Sequence, residues 1–216
     1  MDISLAEALV LLAYRDEDGT TEAGVRGLNH GVAAASLLEL MLEGRIAIDG
    51  GTVAVSDATP TGRAVPDAVL ARIAGAGTSL TPRDWLWTLA REDGHRVVLD
   101  RLVDGGVLER RDGRVLLVFP ARRYPAPGGV TPPAEADVRA RMRAAVDGAG
   151  PVDARVAVLC TLVGALGWDR LVFPDVPAAH LQRRLAELRD APPVAGVVAD
   201  VEAVVMVAAV LPAATT

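Results

Sequence analysis

The sequence predicts a mainly α-helical fold: a single domain over residues 1–216, with a central apolar helix core and two small peripheral β-hairpins. Three observations carry that expectation. Apolar residues recur at helical spacing in about nine segments, and period-two alternation is confined to two short stretches. Each of those stretches follows a helix that stops at glycine, in LLELMLEGRIAIDGGTVAV (37–55) and LDRLVDGGVLERRDGRVLLV (99–118). Finally, 51% of the 216 residues are hydrophobic, enough to bury a sizeable core.

Each element has a local reason. Ser4 followed by Glu7 is a capping box, and Leu5, Leu9, Leu12 and Ala13 give the first helix its apolar face. Residues 15–21 are a polar turn. Asn29 is placed to cap a second helix that runs to Glu43. Asp49-Gly50 marks the turn of a hairpin over 45–55, and 57–63 (DATPTGR) is a loop before a helix over 66–74. Thr81-Pro82 is an N-cap with proline at the first helical position; that helix carries Trp85 and Trp87 and ends near Arg91. Two residues apart on a helix, the tryptophans must point to different sides, which leaves one as a candidate interface anchor. A helix over 96–104 leads to a second hairpin turning at Asp112-Gly113. Residues 124–133 (YPAPGGVTPP) are the strongest linker signal. Beyond them the pattern is helical at 134–147, 153–167, 177–190 and 197–211.

Composition narrows the chemistry. All 22 basic residues are arginine, so mechanisms that need a lysine amine are excluded: a Walker-A phosphate loop, a pyridoxal Schiff base, a lysine-type aldolase. The one cysteine, Cys160, lies in an apolar run and reads as a core residue of a protein in a reducing compartment. The first residues, Met-Asp-Ile-Ser, lack the basic region of a secretory leader. The charge-free apolar runs 156–167 and 203–214 are about half a bilayer span, so a soluble, cytoplasmic protein is expected.

No catalytic constellation is visible. His30, His95 and His180 lack metal-ligand spacing, there is no GxSxG elbow, and Gly75-Ala76-Gly77 does not follow a strand. Enzyme activity, a metal and a cofactor are therefore not expected. The net charge of −6 argues against nucleic acid as a partner. Charge is uneven, however: residues 110–143 hold eight arginines against Asp112, Glu135 and Asp137, a net +5. Beside them, the apolar strand 115–119 and the run Phe119-Pro120-Ala121-Arg122-Arg123-Tyr124 make a tip suited to an anionic membrane interface. The alternative is a buried strand, with the arginines paired to acids elsewhere.

Several blocks in succession resemble the Golgi phosphoprotein 3 family: LAEALVLLAYRDEDG (5–19), LLELMLEGRIAIDGG (37–51), ATPTGRAVPDAVLARI (58–73), VLDRLVDGGVLERR (98–111), FPARRYP (119–125) and the apolar C-terminal segment. The family is known in eukaryotes and widespread in actinobacteria, which agrees with an all-arginine, GC-rich type of composition. The resemblance implies a mostly helical domain with peripheral hairpins that acts as a lipid-binding adaptor and not as an enzyme. Eukaryotic members hold phosphatidylinositol 4-phosphate through a tryptophan and arginines and recruit glycosyltransferase tails. The matching positions here are Gly24, Ala33, Glu92 and His95, none of which keeps the family residue. Arg26, Arg91 and Arg96 lie within a few residues and are the candidate head-group contacts.

The leading expectation is thus a cytoplasmic adaptor, peripheral on the inner face of the membrane. It would bind an anionic, phosphoinositide-like lipid through Arg26, Arg91 and Arg96, with Phe119, Arg122, Arg123 and Tyr124 as membrane-surface contacts and protein partners besides. A winged-helix regulator is the second reading, prompted by the repeated helix–hairpin unit. It asks for a basic recognition helix, whereas the helices before the hairpins carry Glu39 and Glu43, or Asp100 and Asp104. The third is a protein-interaction module without lipid binding.

Overall fold

The computed structural model describes residues 3–23, 25–115, 119–148 and 150–191. Among them are nine α-helices and two antiparallel two-stranded sheets, a mainly helical fold. The expected helix over 197–211 and the apolar run 203–214 lie outside the described residues.

Helix α1 (Leu5–Ala13) starts as its capping box dictates: Ser4 Oγ accepts from the Glu7 N–H at 3.1 Å, and Glu7 Oε2 accepts from the Ser4 N–H at 2.7 Å. Every residue of α1 except Glu7 is buried. Helix α2 (Leu28–Leu42) is buried without a break from Gly31 to Leu40 and packs on α1, α3 (Ala64–Gly75), α4 (Pro82–Ala90), α5 (Gly94–Asp104) and α7 (Ala154–Ala165). It is the central apolar helix. Asn29 does not cap it. The chain enters α2 through Gly27 in the left-handed conformation (φ 66°), which frees the Asn29 side chain for other work.

Strands β1 (Ile46–Asp49) and β2 (Thr52–Val55) pair with Asp49 opposite Thr52, so the two-residue turn is Gly50-Gly51, one residue later than the Asp-Gly signal. Both glycines have positive φ (56° and 80°), as a primed hairpin turn requires. The second hairpin departs further. Strands β3 (Arg111–Val115) and β4 (Phe119–Arg123) pair with Asp112 opposite Arg122 and Gly113 opposite Ala121. Asp112-Gly113 is therefore mid-strand and not the turn. The reason is upstream: the amides of Val107 and Leu108 close α5 on the Leu102 carbonyl, and the Glu109 amide bonds to the Pro125 carbonyl. Those residues are unavailable as a first strand, and the apparent sequence repeat is not a structural one.

The Pro/Gly-rich segment is clasped to the first turn of the chain. Tyr124 N–H bonds to Gly19 O at 2.9 Å and Ala126 N–H to Asp16 O at 2.9 Å, and Tyr124 and Ala126 are buried. Gly19 (φ 66°) is required there, since a Cβ would stand 2.1 Å from Pro125 N. Helices α6 (Pro133–Asp147), α7, α8 (Asp169–Val172) and α9 (Ala178–Arg189) follow among the described residues; α8, a single turn, has no sequence signal long enough to mark it. Cys160 is fully buried in α7 with its thiol pushed up to about 12, as a core residue should be.

Candidate functional site

Asn29 holds the entry of α2 against the turn between α4 and α5. Its amide group donates to Asp93 Oδ1 at 3.2 Å, and its carbonyl oxygen lies 2.6 Å from His95 Nδ1. One residue on, His30 stacks edge-on against Trp87 at a centroid distance of 4.8 Å. Burial holds both histidines below the usual imidazole range, so each is predominantly neutral near pH 7; at His95, Asp93 opposes that shift and Arg96 adds to it. The tryptophans divide as their spacing requires: Trp85 is 2% exposed, in the core, and Trp87 is 36% exposed.

This junction borders an open groove of about 230 Å³. Its floor is α2, through Val32, Ala33 and Ser36, and one wall is α3, through Val65, Ala68 and Val69. The other wall is Leu89, Gly94 and Val97, from the end of α4 and the start of α5. The Ser36 hydroxyl is buried and donates to the Val32 carbonyl at 2.9 Å, so it adds nothing polar to the floor. Two charged residues line the groove, Arg72 and Glu92, and they meet in a two-pronged guanidinium–carboxylate pair. Val97, on the same margin, is 52% exposed.

The structure gathers some of the sequence-predicted residues and disperses others. Ala33 and Glu92 line this groove, and His95 follows Gly94 at its edge; Gly24 lies outside the described residues. The arginine that lines the groove is Arg72, not Arg26, Arg91 or Arg96. Arg26 and Arg91 are exposed and make no ion pair among the described residues. The backbone of Arg26 is fixed where its carbonyl accepts from Trp168 Nε1 at 3.1 Å. Arg96 reaches Asp93 only loosely, at 3.8 Å.

Arg122 and Arg123 are exposed, and Arg122 sits 3.8 Å from Asp112. Tyr124 does not join them at the surface: it is 5% exposed and packs edge-on against Tyr14 at 6.2 Å. Burial and Tyr124 push the Tyr14 phenol up, and Arg96 opposes them. Phe119 is in β4, and residues 116–118 of the expected apolar tip lie outside the described residues. Of the other arginines of the basic stretch, Arg139, Arg141 and Arg143 pair along α6 with Glu135, Asp137 and Asp147, and Arg111 pairs with Glu109.

Sequence reasoning missed Arg72. The signal was present, because Val65, Ala68, Val69 and Arg72 recur at helical spacing and put the charge at the end of an apolar stripe. Among the described residues no group of three His, Cys, Asp or Glu side chains gathers as metal ligands would.

A mainly helical protein with an apolar groove at one helix junction, and with no described helix long and apolar enough to cross a membrane, is the class these features define. The chain belongs to the Golgi phosphoprotein 3 (GPP34) family, whose model matches residues 5–207. No curated protein matches it closely enough to count as a relative.

Proposed function

We propose that the chain is a non-enzymatic adaptor that docks peripherally on an anionic membrane through the face around the α2 entry and the α4–α5 turn. The observation that carries this reading is the half-exposed Trp87 and exposed Val97 beside Arg26, Arg91 and Arg96, three arginines with little or no acidic engagement. An indole and an aliphatic side chain gain by leaving water at the headgroup level, and each nearby arginine adds about 1 kcal/mol on an anionic leaflet. Arg122 and Arg123 extend the contact at low ionic strength. Membership of the family supports the reading, since the resemblance carries lipid binding with it.

Two of the family head-group positions, Ala33 and Glu92, give a phosphate no side-chain donor, which argues against a phosphoinositide preference. A generally anionic leaflet, with no single anionic head group preferred, is the surface on which this face is expected to dock. The winged-helix alternative is the weaker reading: α2 is buried where a recognition helix would need a free face, and the exposed side of α5 carries Asp100 and Asp104 beside its arginines.

Flotation with vesicles of neutral lipid alone, or with phosphatidylglycerol, cardiolipin or phosphatidylinositol 4-phosphate added, tests this. Protein is expected to float with every anionic composition at low salt and progressively less as salt rises. Trp87→Ser combined with Arg91→Glu and Arg96→Glu should abolish flotation. Unchanged flotation of that variant overturns the docking face, and no flotation of the unsubstituted protein favours a protein partner instead.

A further inference from the structure

We propose that the α2–α3–α4 groove holds the hydrocarbon chain of a zwitterionic phospholipid, with its phosphate at Arg72 and its ammonium at Glu92. The inference deepens the membrane reading above and uses the same face of the molecule.

The interior of the groove decides the class of ligand. Val32, Ala33, Val65, Ala68 and Leu89 give only aliphatic surface, and Ser36, the one hydroxyl, is already bonded to Val32 O. A sugar phosphate placed inside would lose its water with no donor to replace it, which disfavours it. A hydrocarbon chain gives up no hydrogen bonds there and gains by leaving water with every methylene buried. The volume of about 230 Å³ takes roughly eight water-sized groups at about 30 Å³ each, and the open end lets a longer chain continue toward the bilayer.

The mouth decides the head group. Arg72 and Glu92 neutralise one another, so a purely anionic head group at Arg72 faces Glu92 as a like charge. A phosphoethanolamine head group carries both signs at a spacing of a few bonds and complements both partners at once. The first turn of α5, opening at Gly94 on the same rim, adds its positive end toward the phosphate. Both charged side chains are more than two-fifths exposed, 44% and 41%, so they can re-aim without unfolding anything.

Titration calorimetry with monomeric lauroyl lysophosphatidylethanolamine, its lysophosphatidylglycerol counterpart and free phosphoethanolamine tests the assignment. The lysophosphatidylethanolamine should bind at least about tenfold more tightly than the glycerol lipid, and free phosphoethanolamine should give no heat. Ala68→Trp fills the groove from an exposed position and should cost at least tenfold in affinity for both lysolipids. Glu92→Gln should invert the head-group preference. Thermal unfolding followed by circular dichroism should be unchanged in both variants, which separates lost binding from lost fold. Equal binding of the two lysolipids, binding of the free head group, or no effect of Ala68→Trp overturns the proposal, as does absence of binding to the unsubstituted protein. Lysolipid binding without vesicle flotation would sink the docking reading alone; flotation without lysolipid binding would sink this one alone.

Discussion

At the scale of single residues, Glu135 is the most consequential side chain outside the groove. It sits in the first turn of α6, 1% exposed, with Oε1 accepting from Arg139 Nε at 2.7 Å and Oε2 buried without a hydrogen-bond partner. Burial pushes its carboxyl up to about 7, against the pull of Arg139 and with some help from Asp16, whose own carboxylate accepts from Thr131 Oγ1 at 2.6 Å. The sign follows from proton uptake. Between the ordinary value of 4.5 and about 7 the folded state keeps a proton that the unfolded chain has lost, so stability falls as pH rises through that window, and the full deficit stands above it. Glu135→Gln should flatten the profile and raise stability at pH 8 by on the order of 1–3 kcal/mol, read from urea unfolding at several pH values. An unchanged profile would mean that Glu135 stays charged throughout.

At the scale of elements, one carboxylate joins three helices. Glu39 of α2 is fully buried; its Oε2 accepts from the Leu5 N–H of α1 at 2.9 Å, and its Oε1 lies 2.5 Å from Arg155 of α7. Arg63 reaches it from the entry to α3, at 3.6 Å. Arg155 in turn donates to the Ile3 carbonyl at 2.8 Å. Removing one partner strands a charge in the core, so Arg155→Met should cost about 3–5 kcal/mol, while Glu39→Leu with Arg155→Met should recover much of that loss. Chemical denaturation of the two singles and the double closes the cycle, and a double variant as unstable as the sum of its singles would refute the account.

The same scale shows what was legible in the sequence. The Ser4–Glu7 box and the Thr81-Pro82 cap are local, and α1 and α4 start where those residues say. Asp112-Gly113 was misleading because hydrogen bonds to Leu102 and Pro125, distant in sequence or hidden in the α5 terminus, claim the preceding residues. Asn29 was misread because Gly27 supplies the entry turn by conformation, without a side-chain cap. The groove was illegible for a related reason: its lining comes from three separate segments, and only the contacts among α2, α3 and α4–α5 bring Arg72 to Glu92.

At the scale of the whole molecule, charge and connectivity tell different stories. The net charge of −6 gives no general attraction to an anionic leaflet, so any docking must be local and salt-sensitive. Connectivity is set by the clasp between residues 16–19 and 124–126, which fastens the start of the Pro/Gly-rich stretch to the first turn of the chain. Gly19→Ala should destabilise by more than about 3 kcal/mol, because both the left-handed φ and the contact with Pro125 fail together; a melting temperature within a degree of the unsubstituted protein would show that the clasp is dispensable.

The clasp also bears on the order of assembly. It joins positions roughly 100 residues apart, a closure that costs about 4 kcal/mol of chain entropy before it returns any contact. Closures of that span belong late on the route to the native state, after α1 and α2 have met through their own apolar faces. The Gly19→Ala chain should therefore refold almost as fast as the unsubstituted one and come apart far sooner, with nearly the whole loss of stability in the unfolding arm of its chevron. In a cell, such a protein would reach its fold on schedule and fail by not keeping it.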